Sequence, residues 1–167
     1  MLGAARTSRR ARPGSLQRRH TRLPVPAFSK IDHVAIAVAD LDEAVAVYQR
    51  LTGSSPAHRQ VVESDGIEAV MFEVGESRIE LLGSTRPDSK IANFVEKRGG
   101  GLHHVAYGVD DVQAALDEYA QLGLRLLDTC PRPGAAGRLV AFLHPSAAHG
   151  VLTELCQPIE QSPAEHG

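Results

Sequence analysis

The chain has 167 residues, 43% of them hydrophobic and 23% charged, which is enough apolar material for one globular domain with a real core. A formal net charge of −2 excludes a protein built to coat nucleic acid or an anionic membrane. No apolar run approaches the roughly 20 residues of a membrane helix, and the two cysteines lack C-x-x-C spacing, so they read as reduced thiols.

Residues 1–29 carry Arg6, Arg9, Arg10, Arg12, Arg18, Arg19 and Arg22 without a single acid. Such a segment reads as a basic disordered tail of a cytoplasmic protein, the alternative being a mitochondrial transit peptide; prolines interrupt any long amphipathic helix in it. From residue 30 the pattern changes. Residues 32–38 form an apolar, β-branched strand, Asp40 is an N-cap, and Leu41, Ala44, Val45, Tyr48 and Leu51 make a helical stripe that stops at Gly53. Strand-like runs follow at residues 54–62, 67–74 and 77–82, with turn residues at Ser64-Asp65-Gly66 and Gly75-Glu76-Ser77. A linking helix is predicted over residues 88–98, and Gly99-Gly100-Gly101 reads as a flexible entry into the next strand.

That next strand opens a second copy of the first. Sliding the chain by 71 positions lays Ile31-Asp32-His33-Val34-Ala35 over Leu102-His103-His104-Val105-Ala106, and Val38, Asp40, Ala44, Tyr48 and Leu51 over Val109, Asp111, Ala115, Tyr119 and Leu122. The second helix therefore carries Val112, Ala115, Leu116, Tyr119 and Leu122 before Gly123, with strands predicted at residues 124–128, 138–143 and 151–156. The order is β-α-β-β-β twice, an α+β domain over residues 30–158 with modules at about 30–86 and 101–158, followed by a tail at 159–167.

The repeat also pairs ionisable residues. His33 matches His104, and Glu80 matches Glu154, each glutamate lying inside an apolar strand where an unpaired charge is costly. Two imidazoles and two carboxylates suit a first-row divalent ion with positions left for water or substrate; Co2+, Mn2+, Ni2+ and Zn2+ all fit that donor set. Glu68 shares a strand face with Val70, and that face is expected to enter the site. His103 is expected to point away from its neighbour His104 into a packing or interface role. His58, His144 and His149 read as loop residues, and neither Cys130 nor Cys156 as a nucleophile.

The duplicated pattern resembles the vicinal-oxygen-chelate superfamily, and within it the methylmalonyl-CoA epimerases, through Ile31-Asp32-His33-Val34-Ala35, residues 91–99, Gly101-Leu102-His103-His104-Val105-Ala106, Phe142-Leu143-His144-Pro145 and Gly150-Val151-Leu152-Thr153-Glu154-Leu155. The resemblance covers residues 31–157. It implies one divalent metal, cobalt favoured, on His33, Glu80, His104 and Glu154, with Glu80 standing where these epimerases often have Gln. It further implies Glu68 and Glu154 as the acid/base pair, an acyl-CoA substrate, no nucleic-acid or membrane partner, and a homodimer. The chemistry it implies is proton abstraction beside a thioester, with the metal stabilising the enolate. Two rival readings are a glyoxalase-I-type lyase acting on a glutathione hemithioacetal and a non-catalytic binding protein of the same fold.

Overall fold

The computed structural model describes residues 28–159. The expectations for residues 1–27 and 160–167 lie outside that range. β1 (Lys30–Ala37) leads to α1 (Leu41–Thr52), then β2 (His58–Val62), β3 (Ile67–Val74) and β4 (Ser77–Ser84). After α2 (Lys90–Arg98), the second half runs β5 (Gly101–Gly108), α3 (Val112–Gln121), β6 (Arg132–Pro133), β7 (Arg138–Leu143) and β8 (Thr153–Pro158).

The helices begin where the sequence supplies caps. Asp40, Ser89 and Asp111 accept hydrogen bonds from the backbone N–H groups of Glu43, Ala92 and Ala114, which are otherwise orphaned in a first turn. α1 and α2 end on Gly53 and Gly99 in the left-handed conformation.

All eight strands join one sheet in the order β2-β3-β4-β1-β5-β8-β7-β6. Read from each rim inward, both halves follow one plan, β2-β3-β4-β1 and β6-β7-β8-β5, and they meet along the antiparallel β1–β5 seam. β1/β4 and β5/β8 are the parallel pairs. α1 packs one sheet face through Leu41, Ala44, Val45 and Tyr48 against Val70, Phe72 and Leu81. α3 covers the same face of the other half, burying Val112, Ala115, Leu116 and Tyr119 against Ala141, Leu143 and Leu155. Each fully buried Leu or Phe in these layers contributes about 1.5–3 kcal/mol of transfer free energy. The opposite sheet face is left to a cavity, closed at one end by Ile91 of α2.

One predicted strand does not form. Residues 124–128 make a single bridge, Leu126 to Leu143, while the two-residue β6 takes the rest of that edge by pairing with Val140 and Leu139. The outer edge of β7 is thus divided between two short segments. Leu124 and Leu126 instead pack into the α3 layer.

Candidate active site

Four neighbouring strands, β4-β1-β5-β8, each bring one candidate donor to the cavity: Glu80, His33, His104 and Glu154. Strand register arranges them in two rows. Glu80, Ala35 and His104 stand opposite one another in the first, and His33, Ala106 and Glu154 in the second. Residues in register project from the same face, so each row is two donors separated by an alanine. Ala35 and Ala106 are themselves repeat equivalents and are fully buried. Their small side chains leave the space between the donors open.

The four groups converge. His33 Nε2 lies 3.3 Å from His104 Nε2. Glu80 Oε2 is 3.4 Å from the first nitrogen and 3.8 Å from the second. Glu154 reaches them at 3.7 Å through Oε1 and 3.2 Å through Oε2. All four side chains are buried. Two buried carboxylates facing one point are mutually repulsive, and two imidazole nitrogens aimed at each other compete for one proton; a cation between them resolves both conflicts. Donor atoms of His33, His104 and Glu154 lie within 4.8 Å of one another. The residues fit a divalent metal ion.

Each histidine is backed by the residue before it, through a device the sequence conceals. Pairing between β1 and β5 steps from Ile31↔Tyr107 to His33↔Ala106 and from Ala35↔His104 to Ile36↔Leu102, leaving Asp32 and His103 as extra, unpaired residues. They are bulges, and they too are 71 positions apart. A bulge interrupts strand alternation and re-aims a side chain. Asp32 Oδ1 thus lies 3.0 Å from His33 Nδ1, and His103 Nδ1 lies 2.9 Å from His104 Nδ1. The expectation that His103 faces away from His104 is corrected, because alternation holds only where the ladder is regular.

Asp32 is completely buried, which on its own would raise its pKa. The hydrogen bond with His33 and the charges of Arg78 and Arg138 outweigh burial and hold the carboxyl well below the usual range. Arg78 donates to Oδ1, while Arg138 Nη2 and Lys30 Nζ stand 3.3 and 3.6 Å from Oδ2. For His33, burial opposes the imidazolium, but Asp32, Glu154 and Glu80 together raise its pKa. Burial also raises Glu80, against the pull of His33 and His104. Burial, reinforced by His104, brings His103 down to about 4, so it is neutral near pH 7. Cys156 is buried and its thiol pKa is pushed up, chiefly by burial, which leaves little thiolate.

Glu68 does not join this group. It lies on the α1 side of β3, where Arg59 donates to Oε1 at 2.6 Å and also bridges to Asp42 of α1. The cavity wall on β3 is formed by Ile67 and Met71. Alternation divides the strand's residues correctly, but the packing of α1 on Val70 and Phe72 turns Glu68 outward.

The cavity has a volume of about 340 Å3. Leu82, Ile91, Val140, Phe142 and Leu152 give it an apolar wall, and Arg86, Lys90, Arg132 and Arg138 add four cationic side chains. Arg132, held over the Phe142 ring, pairs with Asp65 at 3.0 Å, and the Ala136 N–H donates to Gln60, so the loop before β7 ties the second half to the first across the cavity.

Comparison with known proteins identifies the family. Residues 32–142 match the model of the Glyoxalase/Bleomycin resistance protein/Dioxygenase superfamily. The chain is 39% identical over 132 residues to the ethylmalonyl-CoA/methylmalonyl-CoA epimerase of Cereibacter sphaeroides, covering 78% of this chain and 98% of that one. It is 37% identical over 135 residues to the mitochondrial methylmalonyl-CoA epimerase of Bos taurus, covering 80% and 77%. The chain belongs to the methylmalonyl-CoA epimerase family. Among solved members of that family, a complex with methylmalonyl-CoA and NH4+ superposes with a TM-score of 0.77 at 38% identity, covering 82% of this chain and all of the other. The Mycobacterium tuberculosis epimerase superposes at 0.76 with 34% identity, covering 86% and 95%. As in other proteins of this fold the sheet is curled. In this chain the four donors lie on its four central strands. Among the described residues no helix is long and apolar enough to cross a membrane.

Proposed function

We propose that this chain interconverts the two epimers of methylmalonyl-CoA, removing the proton from the carbon between thioester and carboxylate and returning one on the opposite face. The observation that carries this reading is the convergence of His33, Glu80, His104 and Glu154 on one point at the floor of a cavity flanked by cationic side chains. His33, Glu80, His104 and Glu154 would hold a divalent ion, with cobalt expected ahead of Mn2+, Ni2+ and Zn2+, and when bound it would supply positive charge to offset the negative charge developing on the thioester oxygen.

The chain's own carboxylates move the proton. Epimerisation needs a carrier on each face of the carbon, and five acids border the cavity. Asp65 is paired with Arg132, Asp88 with Arg86, and Asp128 accepts from the Phe142 N–H. Glu154 and Glu80 remain. They enter from β8 and β4, the two outer strands of the four-strand set, and so flank a substrate seated between them. With Glu68 outside the cavity, Glu80 takes the second role alongside Glu154. As a ligand of the ion it would serve as a base only through an oxygen that the ion leaves free, because a bound cation favours the ionised carboxylate. The cationic Arg86, Lys90 and Arg132 suit the phosphates of a coenzyme A chain leaving the cavity.

The test is deuterium incorporation from solvent into each epimer, before and after chelation and with ions restored singly. Exchange from both epimers that disappears on chelation is expected; no exchange with any ion sinks the reading. A parallel assay on a glutathione hemithioacetal separates the epimerase from a glyoxalase-I-type lyase.

A further inference from the structure

We infer that His103 is a substrate-contacting residue: its neutral imidazole donates an Nε2–H hydrogen bond to an oxygen of the acyl group, in a tautomer that His104 dictates. The inference rests on the reading of the cavity as an acyl-CoA site.

The proton count fixes the tautomer. At 2.9 Å the two Nδ1 atoms of His103 and His104 have room for one hydrogen between them. His104 Nε2 faces His33 and both glutamates, and as a metal ligand it must offer a lone pair there. The His104 proton then sits on Nδ1 and is donated to His103 Nδ1. His103 in turn keeps its own proton on Nε2. A second proton on that pair would place two N–H groups head to head.

The remaining question is where Nε2–H goes. His103 borders the cavity, which Lys90 and Phe142 also line, its ring meets Phe94 edge-on with centroids 5.0 Å apart, and among the described residues Nε2 has no hydrogen-bond partner. The repeat supplies a control within the same molecule. Asp32 occupies the equivalent bulge in the other half, but it is sealed from solvent: its Oδ1 is taken up by His33 and Arg78, and its Oδ2, without a hydrogen bond of its own, stands at ion-pair distance from Arg138 and Lys30. One half therefore carries a pure support for its histidine, and the other a support with a spare donor turned to the cavity. A malonyl-type thioester presents carboxylate and thioester oxygens, all acceptors. A fixed donor aimed at one of them strengthens as charge builds during proton removal.

Two variants divide the two jobs of His103. His103→Asn keeps an acceptor near His104 Nδ1 but nothing at the Nε2 position; His103→Gln extends an amide donor to that position. We expect His103→Asn to retain Co2+ affinity within about threefold while kcat/KM, and affinity for dimethylmalonyl-CoA, fall about tenfold, the scale of one hydrogen bond to a charged group. His103→Gln should recover part of that loss. In Zn2+-loaded protein with 15N-labelled histidine, His103 should show its proton on Nε2. Unchanged catalysis and analogue binding in His103→Asn, a loss wholly accounted for by weakened metal binding, or a His103 proton on Nδ1 each overturn the inference. Dimethylmalonyl-CoA has no exchangeable α-proton, so wild-type protein that binds it without epimerising methylmalonyl-CoA sinks the proposed reaction, while the variants still decide His103.

Discussion

Glu68 and Glu80 are both glutamates in apolar strands, and what separates them is the neighbour each one faces. Glu80 meets two imidazoles and a second carboxylate; Glu68 meets Arg59 beside α1. A partly exposed ion pair of that kind contributes about 0–1 kcal/mol. Glu68→Gln is therefore expected to leave epimerisation within about twofold and stability within about 1 kcal/mol. A tenfold fall in kcat/KM would return Glu68 to the mechanism. His103 gives a second prediction, on metal-free protein. In the fold it remains neutral down to about pH 4 because of burial and His104, with Lys90 also disfavouring its charge and Glu154 opposing them, whereas in the unfolded chain it protonates near 6.5. Between those values the unfolded state binds more protons, so stability falls as acid is added, by at most about 1.4 kcal/mol per pH unit from this one group. His33 has the opposite sign: its raised pKa stabilises the fold at low pH, and that contribution is lost as pH rises from the unfolded value through the folded one. His103→Asn should flatten the acid limb between about pH 4 and 6.5 and leave the alkaline limb unchanged in denaturant titrations. An acid limb as steep as wild type would count against a neutral, desolvated His103.

At the scale of elements, most of the fold was legible because periodicity and caps agree: Asp40 to Gly53 bounds α1 as the residues suggest, and the repeat, offset by 71 residues at the histidines and by 74 at the glutamates, pairs all four donor positions. Three features were hidden, each for a physical reason. A bulged residue looks like any other in sequence, although a polar residue directly before each of the two paired histidines, at the same repeat position, was a usable signal for Asp32 and His103. The inward face of β3 was ambiguous because both faces are apolar, one covered by α1 and the other forming the cavity wall with Ile67 and Met71. The glycine run at residues 99–101 looked like slack chain, yet Gly100 has φ +97 and a Cβ placed on it would lie 2.8 Å from the Ala37 carbonyl oxygen. Neither a left-handed backbone nor a neighbouring carbonyl yields cheaply, so Gly100→Ala should cost about 1–3 kcal/mol. At about 2–4 °C per kcal/mol for a chain of this size, thermal melting should show a clear drop in Tm. An unchanged Tm would mean that the junction is as slack as the sequence suggested.

In the whole molecule, the two halves share one sheet and each supplies half of the donor set, so the centre that serves chemistry also bears on folding. A cation bound only by the native state adds stability as RT ln(1 + [M]/Kd), about 4 kcal/mol at a thousandfold excess over Kd. Chelation should therefore lower Tm by roughly 8–16 °C, restored by adding back the ion. A cluster held by carboxylate–imidazole ion pairs alone predicts no such fall, and Glu80→Gln separates the two a second way. Metal-free wild type keeps Glu80 and Glu154 buried beside the same two imidazoles, and an amide at position 80 relieves the repulsion between the carboxylates. If the cluster is a metal centre, Glu80→Gln should hold or raise the Tm of chelated protein and lower that of metal-loaded protein, narrowing the gap from both sides. If ion pairing alone holds the four side chains, the same substitution lowers both melting curves equally, and the catalytic reading of the seam between the halves fails with it.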